Sequence, residues 1–122
     1  MSMKKNYLIP SVWNVYLVNL EPRIGTKPGK QRPCLTIQPS FFAQNGLTST
    51  VIIPLTTKVT NNDAWPLRVR LPAQICGNEK ESDLLIDQML AWDNSLFIKK
   101  MGELPEFYIF KVKKAIQDFL NF

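Results

Sequence analysis

Hydrophobic and polar residues follow the patterns of short β-strands along most of the chain. Some segments alternate with a period of two, as half-buried strands do, and others are continuous and rich in β-branched residues, as fully buried strands are. Because turn-forming or polar residues separate these segments, five or six short strands are predicted. They cover residues 12–20, 34–38, 50–57, 67–71, 83–92 and, as a short addition, 97–104.

A helical pattern begins at Pro105. Proline suits the first position of a helix and Glu106 suits the first turn. The apolar residues that follow lie on one stripe, formed by Tyr108, Val112, Ala115, Ile116, Phe119 and Leu120. The pattern predicts a helix over residues 105–121 that covers the open face of the sheet.

Short strands with long connections, followed by one helix, predict the fold class. The order favours a mainly β protein built as a small, strongly bent sheet or a partly open, SH3-like barrel with a C-terminal helix. The chain has 122 residues, of which 45% are hydrophobic, and this is enough for one core. We therefore predict a single domain over residues 1–122, with residues 1–11 as an N-terminal arm.

The net charge indicates the kind of partner, and the cysteines indicate the cellular compartment. A net charge of +5 indicates an anionic partner, either a nucleic acid or an acidic protein segment. Cys34 and Cys76 lie in unlike contexts without a CxxC pair, and no apolar segment is long enough for a signal peptide or a membrane span. These features predict a cytoplasmic protein with free thiols and no membrane association.

The chain contains no histidine. It therefore lacks the usual proton carrier near neutral pH and the commonest metal ligand. Any catalysis is expected either to need no metal or to use one held by carboxylates, and we expect no cofactor.

The most informative segment is residues 30–38, where a basic loop turns into an apolar strand. Pro33 has a fixed φ and no N–H, so it suits the first residue of a strand and keeps Arg32 extended. A guanidinium on a rigid element, beside a loop that carries Lys27 and Lys30, can bind a phosphate or a carboxylate through a planar fork of donors. The alternative is a long hairpin connection with solvated surface cations.

Polar residues at two other strands are further candidates. The hydroxyls of Thr56 and Thr57 lie at a strand end, where they can donate to a phosphate or close a turn onto the local backbone. Arg68 and Arg70 alternate with apolar residues and therefore face away from the core. Such a pair fits either a track for a polyanion or a solvated sheet face.

Asp87 and Gln88 fall within the strand predicted at residues 83–92. Polar groups in a buried strand need hydrogen-bond partners. The two side chains are therefore expected either to brace a neighbouring loop or to line a site.

Four segments in this order and spacing resemble the MazF/PemK family of toxin endoribonucleases, which belongs to the CcdB-like fold group. They are residues 15–22, 25–38, 53–57 and 87–88, and the resemblance extends from residue 12 to about residue 120. It implies a homodimeric SH3-like barrel that is the toxin of a type II toxin–antitoxin system. It also implies metal-independent cleavage of single-stranded RNA to 2′,3′-cyclic phosphate and 5′-OH ends, and neutralisation by a cognate antitoxin.

The same resemblance implies roles for individual residues. The family's catalytic arginine corresponds to Arg32 and its catalytic threonine to Thr56, and the aspartate that serves as base in one branch corresponds to Asp87. An arginine is a poor proton-abstracting base because the guanidinium stays protonated. The RNA-binding candidates are Lys27, Lys30, Gln38, Thr57, Lys58, Arg68, Arg70 and Gln88.

Two departures from the family pattern keep other functions open. Trp13-Asn14 stands where the family usually has Gly-Asp, and Leu90 stands where an arginine commonly follows the glutamine by two residues. Loss of that arginine would weaken RNA binding, change the cleavage sequence or leave an inactive relative. The other alternative is a non-catalytic module that binds a protein target, as the gyrase-poisoning toxin of the same fold group does.

Overall fold

The structure is a computed structural model that describes residues 8–20 and 30–122. In these residues it contains seven strands, two α-helices and two 3-10 turns, at residues 86–88 and 94–96. The strands and helices are β1 Asn14–Asn19, β2 Gln31–Thr36, α1 Ser40–Gln44, β3 Ser49–Thr56, β4 Arg68–Leu71, β5 Ser82–Leu85, β6 Leu90–Asp93, β7 Phe97–Glu103 and α2 Glu106–Leu120. No helix in this described part of the chain has the length and apolar character needed to cross a membrane.

The strands form one antiparallel sheet that bends around β3. The order is β4-β5-β3-β2-β1-β7, and β6 also pairs with β3. The first half of β3 pairs with β6, from Ser49 to Ile52, and its end pairs with β5, at Leu55 and Thr56. The predicted mainly β fold, with a strongly bent sheet and a C-terminal helix, is confirmed.

Neighbouring residues on the central strands face two different apolar clusters. Val15, Leu35 and Ile53 lie in the cluster that α2 covers through Val112 and Ala115, as predicted. Their direct neighbours Tyr16, Cys34 and Ile52 face the other side. There they form a second cluster together with Val18 and Phe97. Leu20, Leu90 and Trp92 pack against this second cluster.

The predicted helical stripe is correct only in its first part. Tyr108 and Ile116 pack against the α2-covered cluster. Phe119 and Leu120 are exposed, at 37% and 50%. The helix packs on β4 and on the 3-10 turn at residues 86–88.

The single strand predicted at residues 83–92 is wrong. The structure has β5 and β6 separated by the 3-10 turn Ile86–Gln88, which gives seven strands where five or six were predicted. β5 and β6 pair with different halves of β3 in different registers, and the turn absorbs that shift. Asp87 and Gln88 are exposed on this turn, so they need no partners in the core.

Two smaller boundaries also differ from the prediction. β2 begins at Gln31, so Pro33 is an inner residue of the strand, opposite Leu17, instead of its first residue. The turn-prone stretch after β2 contains the short helix α1. The earlier start of β2 places Arg32 within a paired strand.

Candidate active site

A cavity of about 310 Å³ opens at the end of the sheet where β2 begins and β1 ends. Of the described residues that line it, two carry cationic side chains, one carries an amide and the others are apolar. We call it the Arg32 cavity, and it is lined by Leu20, Lys30, Arg32, Pro54, Leu85, Gln88, Leu90 and Trp92.

Backbone pairing holds Arg32 in place. It lies opposite Val18 in the β1–β2 ladder, and the pairing continues past the strand ends because the Leu20 N–H donates to the Lys30 carbonyl at 2.7 Å. The Arg32 side chain is half-buried and forms no hydrogen bond or ion pair with the described residues. Its five N–H donors are therefore available to a ligand.

The buried Cys34 thiol lies near the Arg32 side chain. The two side chains point to the same face of β2, because they are two residues apart on a strand. Burial raises the pKa of the Cys34 thiol to about 12, and the nearby positive charge of Arg32 opposes that rise. Arg32 thus lies at the margin of the second apolar cluster, and the thiol stays protonated and inert near neutral pH.

Thr56 is the last residue of β3 and lies on the same face as Arg32. β2 and β3 pair at Cys34 and Pro54, and Arg32 and Thr56 each lie two residues farther along, toward the same end of the sheet. The half-buried Thr56 hydroxyl accepts the Lys58 N–H at 3.1 Å, which is the local turn considered as the alternative from sequence. Its own proton remains able to donate, although Thr56 is not among the residues that line the Arg32 cavity.

The turn at residues 86–88 separates the two polar candidates that it carries. Gln88 lines the Arg32 cavity, whereas Asp87 does not. Asp87 is exposed and makes no hydrogen bond or ion pair with the described residues. The structure therefore brings together Lys30, Arg32 and Gln88 of the predicted site, but not Asp87.

Other predicted RNA-binding residues lie elsewhere. Thr57 lines a separate cavity of about 250 Å³ together with Pro33, and the side chain of Lys58 is exposed. Gln38 lies beyond the other end of β2, where its amide donates to the Ser49 carbonyl at 3.1 Å and accepts the Val51 N–H at 3.3 Å. Gln38 thus holds the start of β3.

Lys27 lies outside the described residues. The structure therefore leaves its predicted part in RNA binding as a prediction.

Arg68 and Arg70 face away from the core, as predicted, but both bind the buried carboxylate of Asp83. Arg68 Nη1 lies 3.0 Å from Asp83 Oδ2, and Arg70 Nε lies 2.5 Å from Oδ1. Arg68 also donates to the Lys58 carbonyl at 3.0 Å, and Arg70 donates to the Thr60 carbonyl. The two guanidinium groups thus hold the loop after β3, and they border a different cavity from that of Arg32.

The pKa of Asp83 is lower than that of an ordinary aspartate. Burial by itself raises this pKa, but hydrogen bonds from Arg70, from the Thr60 N–H and from Arg68 outweigh the effect. Asp83 therefore stays ionised and compensates the two cations. This network gives both arginines a structural role.

The sequence did not identify Trp92 as part of the site. Its indole N–H donates to the Asn19 carbonyl at 2.9 Å, so the side chain reaches from β6 across to the end of β1. Trp92 and Leu90 are two residues apart on β6 and both line the cavity. This alternation was the available signal, but no local pattern shows that β6 lies beside the end of β1.

The chain is similar to a known family over most of its length. Residues 11–120 match the family model described as PemK-like, MazF-like toxin of type II toxin-antitoxin system. The chain is 33% identical over 98 residues to the probable endoribonuclease MazF of Mycolicibacterium smegmatis, covering 80% of this chain and 86% of that protein. It is 29% identical over 104 residues to the endoribonuclease EndoA of Bacillus subtilis, covering 85% and 88%.

Solved structures share the fold. A MazE–MazF structure from Deinococcus radiodurans superposes with a TM-score of 0.75 and 25% identity, covering 93% of this chain and 97% of that one. The Mycobacterium tuberculosis toxin MazF-mt6 superposes with a TM-score of 0.72 and 18% identity, covering 88% and 96%.

Proposed function

This chain belongs to the family of PemK-like, MazF-like toxins of type II toxin–antitoxin systems, and from that premise we propose that it is a metal-independent endoribonuclease acting on single-stranded RNA. Relatives named as endoribonucleases support the reaction class. The observation that carries the proposal is the position of Arg32. It lies on a paired strand at the wall of a cavity and has no partner among the described side chains.

RNA carries its own nucleophile, which reduces the work left to the protein. The ribose 2′-OH gives up its proton while its oxygen attacks the adjacent phosphorus. The bond from phosphorus to the 5′-oxygen breaks, and the leaving oxygen takes up a proton, so that no proton is gained or lost overall. The products are a 2′,3′-cyclic phosphate and a free 5′-OH. The protein must hold the 2′-oxygen in line with the phosphorus and stabilise the charge on the phosphoryl oxygens.

Arg32 suits the second of these tasks. Its planar fork can donate two parallel hydrogen bonds to the phosphoryl oxygens, and the apolar wall of the cavity strengthens that attraction by lowering the local dielectric. Lys30 adds a second cation at the same wall. Arg32 acts here as an electrostatic clamp and not as a base.

Thr56 and Asp87 have unequal support. Thr56 lies on the same face and at the same end of the sheet as Arg32, so we propose that its hydroxyl donates to the same phosphate. The family resemblance implies that Asp87 is the base, but we propose that its carboxylate is not required for cleavage. Its position outside the Arg32 cavity makes it the first assignment to test.

The remaining partners follow from the relatives. The Deinococcus radiodurans structure is a MazE–MazF complex, and a mycobacterial endoribonuclease is in complex with its cognate antitoxin. We propose that this chain also binds a cognate antitoxin, forms a homodimer and acts in the cytoplasm.

Incubation of the purified chain with single-stranded RNA in EDTA tests the proposal. We expect discrete cleavage, with 5′-OH ends that polynucleotide kinase labels without prior phosphatase treatment. Arg32→Ala protein, purified in parallel, controls for contaminating ribonuclease. If neither protein cuts RNA but the wild type binds a protein target, the non-catalytic alternative replaces the nuclease.

A further inference from the structure

We propose that the Arg32 cavity is a nucleobase subsite in which Trp92 stacks on the base next to the scissile phosphate. The inference rests on the proposed function, since it assumes that Arg32 binds this phosphate. It assigns a ligand, the nucleobase, to the apolar part of the cavity, which does not contact the phosphate.

The lining is divided between charge and apolar surface. Among the described residues that line it, Lys30 and Arg32 supply the cationic groups and Gln88 supplies an amide. The rest of the wall is formed by Leu20, Pro54, Leu85, Leu90 and Trp92. A phosphate alone would leave this apolar wall in contact with water, whereas a nucleotide places a flat, largely apolar base beside its anionic group.

The volume indicates how much ligand the cavity accepts. At about 310 Å³, the cavity lies at the small end of the range of roughly 300–1,000 Å³ that is usual for ligand sites. One base with its phosphate therefore suits it better than a longer segment of RNA. Neighbouring nucleotides would lie outside this cavity.

Trp92 is held in place before a base arrives. Its indole N–H donates to the Asn19 carbonyl at 2.9 Å, and the ring packs against the second apolar cluster. A half-buried ring that is fixed in this way loses little conformational entropy when a base stacks on it. Stacking on an aromatic side chain tolerates any base, so Trp92 contributes mainly affinity.

Gln88 and Leu90 provide the means to discriminate between bases. The exposed Gln88 amide makes no hydrogen bond with the described residues, so its donor and its acceptor can both pair with a base edge. Leu90 adds an apolar surface where the family pattern has an arginine. This wall favours an uncharged base edge over a second phosphate.

A binding cycle with abasic RNA tests the stacking contact. The probe is a short RNA oligonucleotide that spans the cleavage site mapped with the wild type, with a 2′-deoxy sugar at the cut to prevent cleavage. Each nucleotide flanking the cut is replaced in turn by an abasic sugar. Dissociation constants are measured for wild type, Trp92→Leu and Trp92→Phe, with Phe41→Leu as a control at an exposed aromatic residue of α1.

For one of the two positions, the abasic sugar should weaken wild-type binding by about ten-fold or more. Trp92→Leu should weaken binding of the intact RNA by a similar factor and show little further loss with the abasic RNA. Trp92→Phe should retain most of the affinity, and Phe41→Leu should match the wild type. A merely structural role for Trp92 would leave the abasic penalty unchanged in the leucine variant.

Failure of this inference differs from failure of the proposed function. One outcome is that the wild type cuts RNA while the ratio of the dissociation constants for abasic and intact RNA is the same in every variant as in the wild type. In that case the stacking subsite is wrong and the nuclease stands. If the wild type cuts no RNA, both are overturned.

Discussion

Arg32 and Thr56 lie at corresponding positions of β2 and β3, each two residues beyond the Cys34–Pro54 pair. Side chains on an antiparallel pair that share such a position point to one face of the sheet. The register thus explains how two residues far apart in sequence can act on one phosphate. It also makes the proposed roles of the two residues separable by mutation.

Replacement of Thr56 by valine should slow RNA cleavage by about ten-fold, because one donor to the phosphate is lost. Thr56→Ser keeps the hydroxyl and should cleave at close to the wild-type rate. Single-turnover cleavage in EDTA measures both variants. Equal rates for Thr56→Val and wild type would remove the hydroxyl from the mechanism.

Asp87→Asn should retain at least about a tenth of the wild-type rate, since the exposed carboxylate does not line the Arg32 cavity. Removal of a general base costs about 10²–10⁴-fold. The pH–rate profile of the variant is the second measurement. A fall within that range, together with loss of the ascending limb of the profile, would establish Asp87 as the base.

Lys30→Ala should weaken RNA binding and reduce the dependence of the binding constant on salt. Loss of one phosphate contact lowers the slope of log K against log salt by about 1. Lys99→Ala, at an exposed lysine of β7 that does not line the cavity, is the charge-matched control and should keep the wild-type slope. Identical slopes for the two variants would show that Lys30 makes no specific contact.

The Asp83 network predicts a stability that falls in acid. The pKa of Asp83 is lower in the folded chain than in the unfolded one, so its contribution is complete above the unfolded value of about 3.9. The contribution is lost as pH falls below that value and through the folded pKa. Urea unfolding of wild type at pH 7 and at decreasing pH should show this loss.

Asp83→Asn should destabilise the fold by about 1–3 kcal/mol at pH 7, because the buried carboxylate that pairs with Arg68 and Arg70 becomes neutral. The variant should also lose less stability in acid than the wild type. Glu79→Gln removes an exposed carboxylate and is the control, with an expected change within about 0.5 kcal/mol. An acid response of Asp83→Asn equal to that of the wild type would place the sensitivity elsewhere.

Local sequence patterns were sufficient where each element has a clear pattern of apolar residues. The strand around Val18 follows from period-two alternation, and the start of α2 follows from a helical stripe. The strands around Cys34 and Ile53 follow from continuous apolar runs, because their residues face two apolar clusters. The resemblance to the family depended on the order of these same segments. Arg32 and Thr56 were candidates because the apolar runs placed Arg32 near the start of one predicted strand and Thr56 near the end of another.

Pairing between distant segments was not accessible from local patterns. The break at Ile86–Gln88 arises because β5 and β6 pair with different halves of β3, and nothing local to Asp87 encodes that register shift. For the same reason the sequence did not predict the hydrogen bond from Trp92 to Asn19 or the ion pair between Arg70 and Asp83. Each of these contacts joins residues that only the bent sheet brings together.

The central claim is that the Arg32 guanidinium stabilises the scissile phosphate. Single-turnover cleavage of single-stranded RNA in EDTA by wild type, Arg32→Lys and Arg32→Ala tests it most directly, with urea unfolding confirming that the variants fold. We expect Arg32→Ala to lose about 10²–10³-fold in rate and Arg32→Lys, which keeps the charge but not the fork, to lose less. An Arg32→Ala protein that cuts RNA at the wild-type rate would contradict the account.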